Sequence, residues 1–570
     1  MNVGKKIQNH SVKFFSGKKM SKYQFTIKDL STIQEPNTIF MVASGDLRLS
    51  ANKVCWPAQE EMESHLSKAF EKQNFQLIRA HSYDPVQGHG FIWNQRMGMD
   101  IFVNIPKDAP LVVATAVWQY SYHVLAGLRD HQGPILTVAN WNGQWPGLVG
   151  LLNLNGCLTK MGKPFSTIWS ENFQDDFFVY GIKQWLKNGS INHDLSHVKN
   201  LDVSKLSAEE ASVGSKLARE LREKKAIIGV FDEGCMGMYN AIIEDELLNE
   251  LGIYKERISQ SALFAEMRKV KDEDAIKARK WLDAAGMTFI TGENEETELT
   301  DHQIIQQLKM YIAAVRMADF YGCDAIGIQY QQGLKDICPA SDLAEGLLNN
   351  PHRPPVYHLD SGEELFAGNC LPHFNEVDEG AAIDSLVTNR VWSTLEMDPS
   401  TTLHDIRWGR QYCDGKLDDF VWVFEISGAA PASHFVDGYK GAVSERQPPM
   451  YFPLGGGTLK GVSKPGEIVW SRVYIEGGVL HADLGRGEAI SLPEEEVENR
   501  WQLTTQQWPI MNAILHGVNR NQMMAQHKAN HIQIAYATNK EKADKALAVK
   551  AAMFSELGVR VHLCGEVSVN

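Results

Sequence analysis

The residues best suited to chemistry in this sequence are two carboxylates and a histidine. Glu376 lies in the stretch NEVDEG, Asp405 in the stretch HDIRW, and His531 far downstream in the stretch ANHI. Glu, Asp and His form an oxygen-rich ligand set that suits Mn²⁺, Co²⁺, Fe²⁺ or Mg²⁺. Only the fold can bring three such distant residues together. The sequence therefore predicts a divalent-metal site with acid/base carboxylates, open on the side where a substrate binds.

A divalent cation held by these three side chains favours one class of reaction. A sugar carbonyl and its neighbouring hydroxyl can chelate such an ion, which polarises the carbonyl and acidifies the C–H bond between the two oxygens. A carboxylate within reach removes that proton, and a second group returns it to the adjacent carbon. The three residues thus indicate aldose–ketose isomerisation through an enediolate, whose developing charge the cation stabilises.

Side chains that suit a sugar pocket follow several predicted strands. Arg48, Trp118 and Gln329 all come after buried apolar runs, and in parallel sheets ligands bind beyond the carboxyl ends of the strands. A tryptophan just after a strand more often covers a core than binds a ligand. We expect the tryptophans to stack on a sugar and the polar groups to bind its hydroxyls. The candidate residues are Arg48, Trp118, Trp141, Gln329, Trp508 and Asn530.

Length and composition indicate a globular protein of several domains. The chain has 570 residues, of which 44% are hydrophobic and 22% charged, and this length suggests about three or four domains. The net charge of −14 argues against nucleic-acid binding, which needs a basic surface. The longest apolar run, 110–118, is too short to span a membrane. We therefore expect neither a nucleic-acid nor a membrane partner.

The cysteines and the first 22 residues indicate the cellular compartment of the protein. The eight cysteines are scattered and include no C-x-x-C pair, a pattern typical of reduced thiols in a cytoplasmic protein. Residues 1–22 are lysine-rich, contain no acid and lack the apolar stretch of a secretory signal. We expect them to form a flexible basic leader, with Met20 as an alternative start, and the protein to be cytoplasmic.

The order of apolar runs predicts two kinds of architecture. Up to about residue 387, strand runs alternate with helical patterns, which is typical of doubly wound parallel sheets. A polar, charge-rich interval at 188–224 separates two such units. After residue 387, strand runs such as 420–426 and 467–475 are separated by glycine turns, which favours an antiparallel sheet. A final strand and a final helix close the chain.

The order of the motifs resembles the L-fucose isomerase family. The likeness runs from about Phe40 to His531, and it is carried by the motifs GIQ, AEGLLN, NEVD, HDIR, a glycine triplet at 455–457 and ANH. The resemblance implies two doubly wound α/β domains followed by a mainly antiparallel β domain, in a homo-oligomer that is a hexamer or a trimer. It also implies Mn²⁺ or another divalent cation as cofactor. The expected divisions are a leader at 1–22 and domains at 23–212, 213–387 and 388–570.

The resemblance assigns roles to individual side chains. The catalytic pair falls on Glu376 and Asp405, and these two residues bind the metal together with His531. Where the family has a Tyr directly after the glycine triplet, this chain has Thr458. The interval between Glu376 and Asp405 is also longer than usual, and both departures concern the substrate more than the reaction. The implied substrate-binding residues are Arg48, Trp118, Gln329, Trp508 and Asn530.

The sequence is compatible with three functions. The first is an isomerase for an aldose of the L-fucose or D-arabinose type. The second is the same isomerisation of a hexose modified at C6, which Thr458 and the longer interval would admit. The third is a sugar-binding protein of the same fold without turnover. An NAD-dependent oxidoreductase is disfavoured, because no dinucleotide-binding fingerprint follows any predicted strand.

Overall fold

A computed structural model of the chain describes residue 30 and the ranges 37–428 and 430–567, so the predicted leader at 1–22 lies outside the described residues. The protein is a mixed α/β structure with parallel sheets and a largely antiparallel sheet towards its C-terminus, which confirms the prediction in outline. The division into domains stays a prediction, and the expected divisions after residues 212 and 387 fall inside helices. No helix in the described ranges is both long enough and apolar enough to cross a membrane.

The N-terminal part alternates strands and helices around a five-stranded parallel sheet. Its elements are β1 (Thr38–Val42), α1 (Leu49–Glu71), β2 (Gln76–Arg79), α2 (Gln95–Phe102), β3 (Leu111–Thr115), α3 (Tyr122–Asp130), β4 (Ile135–Asn140), α4 (Gly147–Lys160), β5 (Ser166–Ser170) and α5 (Asp176–Asn188). The strand order is β2-β1-β3-β4-β5. Alternate residues enter different cores, since Met41 packs with residues of α1 and α5 while Phe40 packs with residues of α2 and α3. Burial on both faces explains why β3 is wholly apolar apart from its last residue.

The middle part contains a smaller parallel sheet. Its elements are β6 (Val198–Asn200), α6 (Ala208–Lys224), β7 (Ala226–Phe231), α7 (Asp245–Leu251), β8 (Ile253–Ile258), α8 (Gln260–Met267), α9 (Asp272–Ala285), β9 (Thr288–Phe289), α10 (Asp301–Tyr321), β10 (Ala325–Ile328) and α11 (Asp342–Leu348). The strand order is β10-β7-β8. Helix α10 starts at a capping box between Thr300 and Gln303 and ends at Gly322, which adopts the left-handed conformation that glycine tolerates.

The C-terminal part is built on the largest sheet. Its elements are α12 (Glu379–Thr394), β11 (Thr402–Cys413), β12 (Asp418–Glu425), β13 (Val443–Ser444), β14 (Gly466–Glu476), β15 (Val479–Ala489), α13 (Glu494–Gln502), β16 (Ile510–Leu515), α14 (Arg520–Gln526), β17 (His531–Tyr536), α15 (Lys540–Glu556) and β18 (Arg560–Cys564). The order is β14-β17-β11-β12-β16-β15-β18-β6, with a further β14–β15 pairing. Strand β6, which belongs to the range predicted as the N-terminal domain, therefore joins the C-terminal sheet. Strands β9 and β13 pair separately.

Helix α12 is anchored by a buried ion pair. Lys550 on α15 contacts Asp384 on α12 and donates hydrogen bonds to the Thr388 and Ser471 hydroxyls at 2.8 and 2.7 Å. A buried ammonium group is tolerated only when it is paired and hydrogen-bonded in this way. The network fixes α12 against α15 and β14, and with it the turn that precedes α12.

The cysteines whose side chains the structure describes are all free, and Cys413 is the exposed one among them. The others are buried, as expected for small apolar side chains. This arrangement supports the prediction of reduced thiols.

Candidate functional site

Glu376 lies in a strained turn that leads into α12. Glu376 and Val377 have φ angles of 55° and 56°, in the left-handed region that β-branched residues avoid. The turn is closed by Asp378, whose backbone N–H donates to the Asn375 carbonyl at 3.0 Å and whose side chain caps α12 by accepting from the Ala381 N–H. As a result, Glu376 lines a cleft while Asp378, two residues later, is fully buried.

Asp405 and His531 face each other on neighbouring antiparallel strands. They are direct partners in the register of β11 and β17, so their side chains lie on the same face of the sheet. Nε2 of His531 lies 3.5 Å from Oδ1 of Asp405 and 3.8 Å from Oε2 of Glu376. The fold thus brings together the three residues that the sequence singled out.

A third carboxylate, that of Asp378, contacts His531 from its other side. Nδ1 of His531 lies 2.7 Å from Oδ2 of Asp378, and Arg472 donates to both oxygens of Asp378 at 2.6 and 3.0 Å. Because an ionised carboxylate only accepts hydrogen bonds, the hydrogen on His531 is assigned to Nδ1. Nε2 is buried and has no hydrogen-bond partner within the described residues. In the neutral form of His531, the lone pair of Nε2 therefore faces Glu376 and Asp405, as in a metal-binding histidine that is backed by a carboxylate.

Burial and mutual charge shift the pKa values of all four groups. Burial raises the pKa of Glu376 to about 7, with a contribution from Asp405, and burial also raises the pKa of Asp405. Burial disfavours a charged His531, but the hydrogen bond and charge of Asp378 outweigh it and raise the His531 pKa. Burial likewise opposes ionisation of Asp378, yet Arg472 and His531 hold its pKa well below the ordinary range. Ionisation of both Glu376 and Asp405 is therefore disfavoured unless a cation lies beside them.

The donor set is chemically suited to a divalent cation. Neighbouring ligands of an octahedral ion stand about 3 Å apart, whereas the His531 nitrogen lies 3.5 and 3.8 Å from the carboxylate oxygens. Accordingly, in the part of the chain that is described, no three His, Cys, Asp or Glu side chains are already closed around an ion position. A buried nitrogen lone pair nevertheless needs a partner. Glu376, Asp405 and His531 are the side chains that would hold the ion.

A cleft that is partly open to solvent lies over Glu376 and Asp405. Its walls combine aromatic surface with a few polar groups. The apolar wall is formed by Trp118, Pro146, Met236, Tyr451, Phe452 and Trp508, and the remaining polar lining is Arg48, Gln331, Ser427 and Asn530.

Four of the five predicted substrate-binding residues line this cleft, and Gln329 does not. Gln329 is buried, and its side-chain oxygen accepts a hydrogen bond from the backbone N–H of Gln332 at 3.1 Å. Gln331 lines the cleft in its place. The predicted pocket residues that the structure brings together are Arg48, Trp118, Trp508 and Asn530.

Arg48 is held rigidly at the cleft wall. Its guanidinium donates to both oxygens of Asp46 at 2.9 and 2.6 Å and to Oε1 of Gln331 at 2.7 Å. It also lies 4.7 Å from the centre of the Tyr451 ring, within the range of a cation–π contact. Arg48 therefore positions Gln331 and Tyr451 as well as lining the cleft itself.

Two residues that the sequence associated with the substrate lie elsewhere. Trp141 packs in a core that includes residues of the C-terminal sheet and donates from Nε1 to the Gly409 carbonyl at 2.8 Å. Thr458 is fully buried and is not part of the cleft lining. Tyr451, which precedes the glycine triplet, supplies an aromatic ring to the cleft instead.

Sequence reasoning left several residues of the site without a role. Asp378 had a signal, because it lies in the motif NEVD two positions after Glu376. Arg472 had a weaker one: it interrupts the apolar strand β14, and a charged residue inside a buried strand needs a partner. Gln331 also had a signal, because it is one of three glutamines after β10 that could bind hydroxyls. Ser427 and Tyr451 had none, since loop residues follow no periodicity.

Residues that follow or belong to strands of three different sheets line the cleft. Arg48 follows β1 and Trp118 follows β3, whose carboxyl ends lie at one edge of the parallel sheet, and Gln331 follows β10 of the second sheet. Asp405 and His531 come from the third sheet. Compared with models of known protein families and with curated proteins, the chain gives no match.

Proposed function

We propose that the protein is a metal-dependent ketol isomerase, which interconverts an aldose and its ketose by proton transfer through an enediolate. One observation carries the proposal: the buried Nε2 of His531 has no partner in the described structure and faces Glu376 and Asp405 at 3.8 and 3.5 Å. Glu376, Asp405 and His531 would hold Mn²⁺ or another divalent cation. When bound, the cation would polarise a chelated carbonyl–hydroxyl pair and stabilise the charge on its oxygens.

The side chains of the cleft supply the remaining steps. Of Glu376 and Asp405, one carboxylate removes the proton from the carbon that bears the substrate hydroxyl, and the other delivers a proton to the neighbouring carbon. The hydroxyl proton moves to the former carbonyl oxygen, which completes the exchange. Asn530 donates to Oδ1 of Asp405 at 3.4 Å and so orients that carboxylate. Trp118 and Trp508 would stack on the apolar faces of the sugar and exclude water from the proton transfer.

We propose an aldose of the L-fucose or D-arabinose type as the substrate. The mixture of aromatic and polar walls in the cleft supports a monosaccharide. Thr458 lies outside the cleft lining, so no observation favours a sugar modified at C6. The homo-oligomer, hexameric or trimeric, stays a prediction, as does the cytoplasmic location, which the free cysteines support.

Solvent-deuterium incorporation tests this function. The metal-loaded protein is incubated in D₂O with a panel of aldoses that includes C6-modified sugars, and the products are examined by NMR. Deuterium at C1 of a ketose product supports the enediolate and identifies the substrate. Ketose without deuterium would indicate a hydride shift or a shielded proton. Binding of a sugar without any conversion would favour the non-catalytic alternative.

Removal of divalent cations should lower the activity at least tenfold, and Mn²⁺ should restore it. Because the cation binds only the folded site, Mn²⁺ at about 100 times its Kd should stabilise the protein by about 2.7 kcal/mol, seen as a rise in Tm. The His531→Ala variant should lose this rise. The control His302→Ala, in which an exposed histidine of α10 is replaced, should keep it. Activity that survives exhaustive chelation would contradict the metal-dependent mechanism.

A further inference from the structure

Arg407, in the motif HDIR, is a fully buried arginine at a β-bulge beside the candidate metal site. It lies on β11, two residues after Asp405. In the pairing of β11 with β12, the register shifts between Ile406 and Trp408, so Arg407 is the extra residue of the bulge. A bulge of this kind changes the direction of a side chain and often lies next to an active site. A guanidinium buried there needs partners, and these partners indicate its role.

The Arg407 guanidinium joins β11 to two segments that are distant in sequence. Nε donates a hydrogen bond to the Gly143 carbonyl at 2.9 Å, and Nη2 donates to the Gln144 carbonyl at 3.1 Å. Nη2 also donates to the Thr505 hydroxyl at 3.0 Å. The planar, rigid fork of an arginine reaches all three acceptors at once, which a lysine does not. Arg407 therefore fixes the loop between β4 and α4 and the segment before β16 to the strand that carries Asp405.

Each of these segments supplies part of the cleft wall. Pro146 follows in the first segment and Trp508 in the second, and both residues line the cleft. Cζ of Arg407 lies 5.6 Å from the centre of the Trp508 ring, within the range of a cation–π contact. The indole N–H of Trp508 donates to the side-chain oxygen of Gln447 at 2.8 Å. The orientation of the Trp508 ring therefore depends on Arg407 and Gln447 together.

The contacts of Arg407 are not those of an ion pair that serves stability alone. Its Nε lies 3.7 Å from Oε2 of Glu425, which is too far for a hydrogen bond. Glu425 instead accepts hydrogen bonds from the Thr504 hydroxyl at 2.6 Å and from the Thr505 N–H at 3.3 Å. Nη1 of Arg407 is buried and has no hydrogen-bond partner among the described residues. Because an unpaired buried donor costs free energy, stability of the fold does not explain this arginine.

Resting on the isomerase function proposed above, we propose that Arg407 is a positioning residue for the sugar-binding wall. It holds Trp508 and Pro146 at the distance from Asp405 at which both contact a bound monosaccharide. Arg407 is not part of the cleft lining, so it acts through these two residues. A displacement of about 1 Å is enough to impair a binding site. Loss of the guanidinium should therefore raise KM more than it lowers kcat.

Arg407→Lys tests this role, because lysine keeps a positive charge near Glu425 but lacks the planar fork. KM should rise about tenfold, which corresponds to the loss of a cation–π contact and a hydrogen bond, and kcat should change much less. The control Arg410→Lys alters an arginine of the same strand that lies 5.6 Å from the centre of the Trp408 ring and pairs with Glu496, outside the cleft lining. It should keep the wild-type KM. A wild-type KM in Arg407→Lys, or a loss confined to kcat, would overturn the proposal.

A second variant leaves the buried arginine in place. Thr505→Val keeps the shape of the side chain and removes the acceptor that lies 3.0 Å from Nη2 of Arg407. KM should rise about threefold, as expected for one lost hydrogen bond. The double variant Arg407→Lys/Thr505→Val should match Arg407→Lys, because both substitutions remove the same contact. Additive effects of the two substitutions would contradict the proposed coupling.

Fluorine NMR follows the position of Trp508 without any sugar, and so separates this inference from the isomerase function. In protein labelled with fluorotryptophan, the Trp508 resonance is the one that is absent from Trp508→Phe. Because Trp508 is buried, its resonance should shift little between H₂O and D₂O in the wild type and in Arg410→Lys. In Arg407→Lys the ring should become more exposed, and the shift between the two solvents should grow. That change without turnover of any aldose would support the positioning role and refute the isomerase. Turnover together with an unchanged Trp508 resonance in Arg407→Lys would refute the positioning role alone.

Discussion

Replacing Asp405 by Asn is expected to lower kcat about a thousandfold and to leave the fold intact. General acid–base catalysis contributes about 10²–10⁴ in rate, and an amide can neither remove nor deliver the proton. Asn fills the same space, and its side-chain oxygen can still accept the hydrogen bond from Asn530. Steady-state kinetics at saturating Mn²⁺ measures the loss, because saturation separates catalysis from weaker cation binding.

The control for this variant is an aspartate on the neighbouring strand. Asp419 lies on β12, is exposed and is remote from the cleft lining. Asp419→Asn should keep the wild-type kcat, and both variants should unfold at the wild-type denaturant concentration. A wild-type rate in Asp405→Asn would show that Asp405 takes no part in proton transfer.

Much of the site could be anticipated because each of its residues stands beside a recognisable local pattern. Trp118 follows the buried strand β3, and residues at the carboxyl ends of parallel strands meet at one edge of the sheet. Asp405 and His531 lie in short polar interruptions next to apolar strand runs. Their type and order were enough to suggest a shared site, although the strand register that makes them direct partners could not be read from either strand alone.

The features of the fold and the site that could not be predicted depend on contacts that no local sequence pattern specifies. The alternation of side chains along β10 ends at Ile328, so periodicity could not decide between Gln329 and Gln331 in the loop that follows. Strand β6 joins the distant strand β18, which the continuous α/β pattern around it concealed. The pairing of Asp378 with Arg472 joins the turn before α12 to the middle of β14, and the packing of the helix on the sheet determines this contact.

Replacing Asp378 by Asn is expected to destabilise the protein by about 3–5 kcal/mol, because the buried Arg472 loses its partner charge. Binding of Mn²⁺ should also weaken about 10–100-fold, since the carboxylate that orients His531 is lost. Denaturant unfolding and calorimetric titration with Mn²⁺ measure the two effects.

Interactions in the fold lower the pKa of Asp378, so its stabilising contribution is present above the ordinary carboxyl pKa of about 4 and is lost as the pH falls below it. The variant should lack this acid-dependent part of the stability.

A second substitution separates these two effects. In Asp378→Asn/Arg472→Met the unpaired guanidinium is removed, and an apolar side chain of similar length fills its space, which is often neutral for a buried ion pair. The double variant should therefore regain most of the stability while Mn²⁺ binding stays weak, because His531 still lacks a carboxylate on Nδ1. If Mn²⁺ affinity returned together with stability, Asp378 would serve the fold alone and the orientation of His531 would have another cause. If neither returned, the loss would lie in the packing of the turn that carries Glu376.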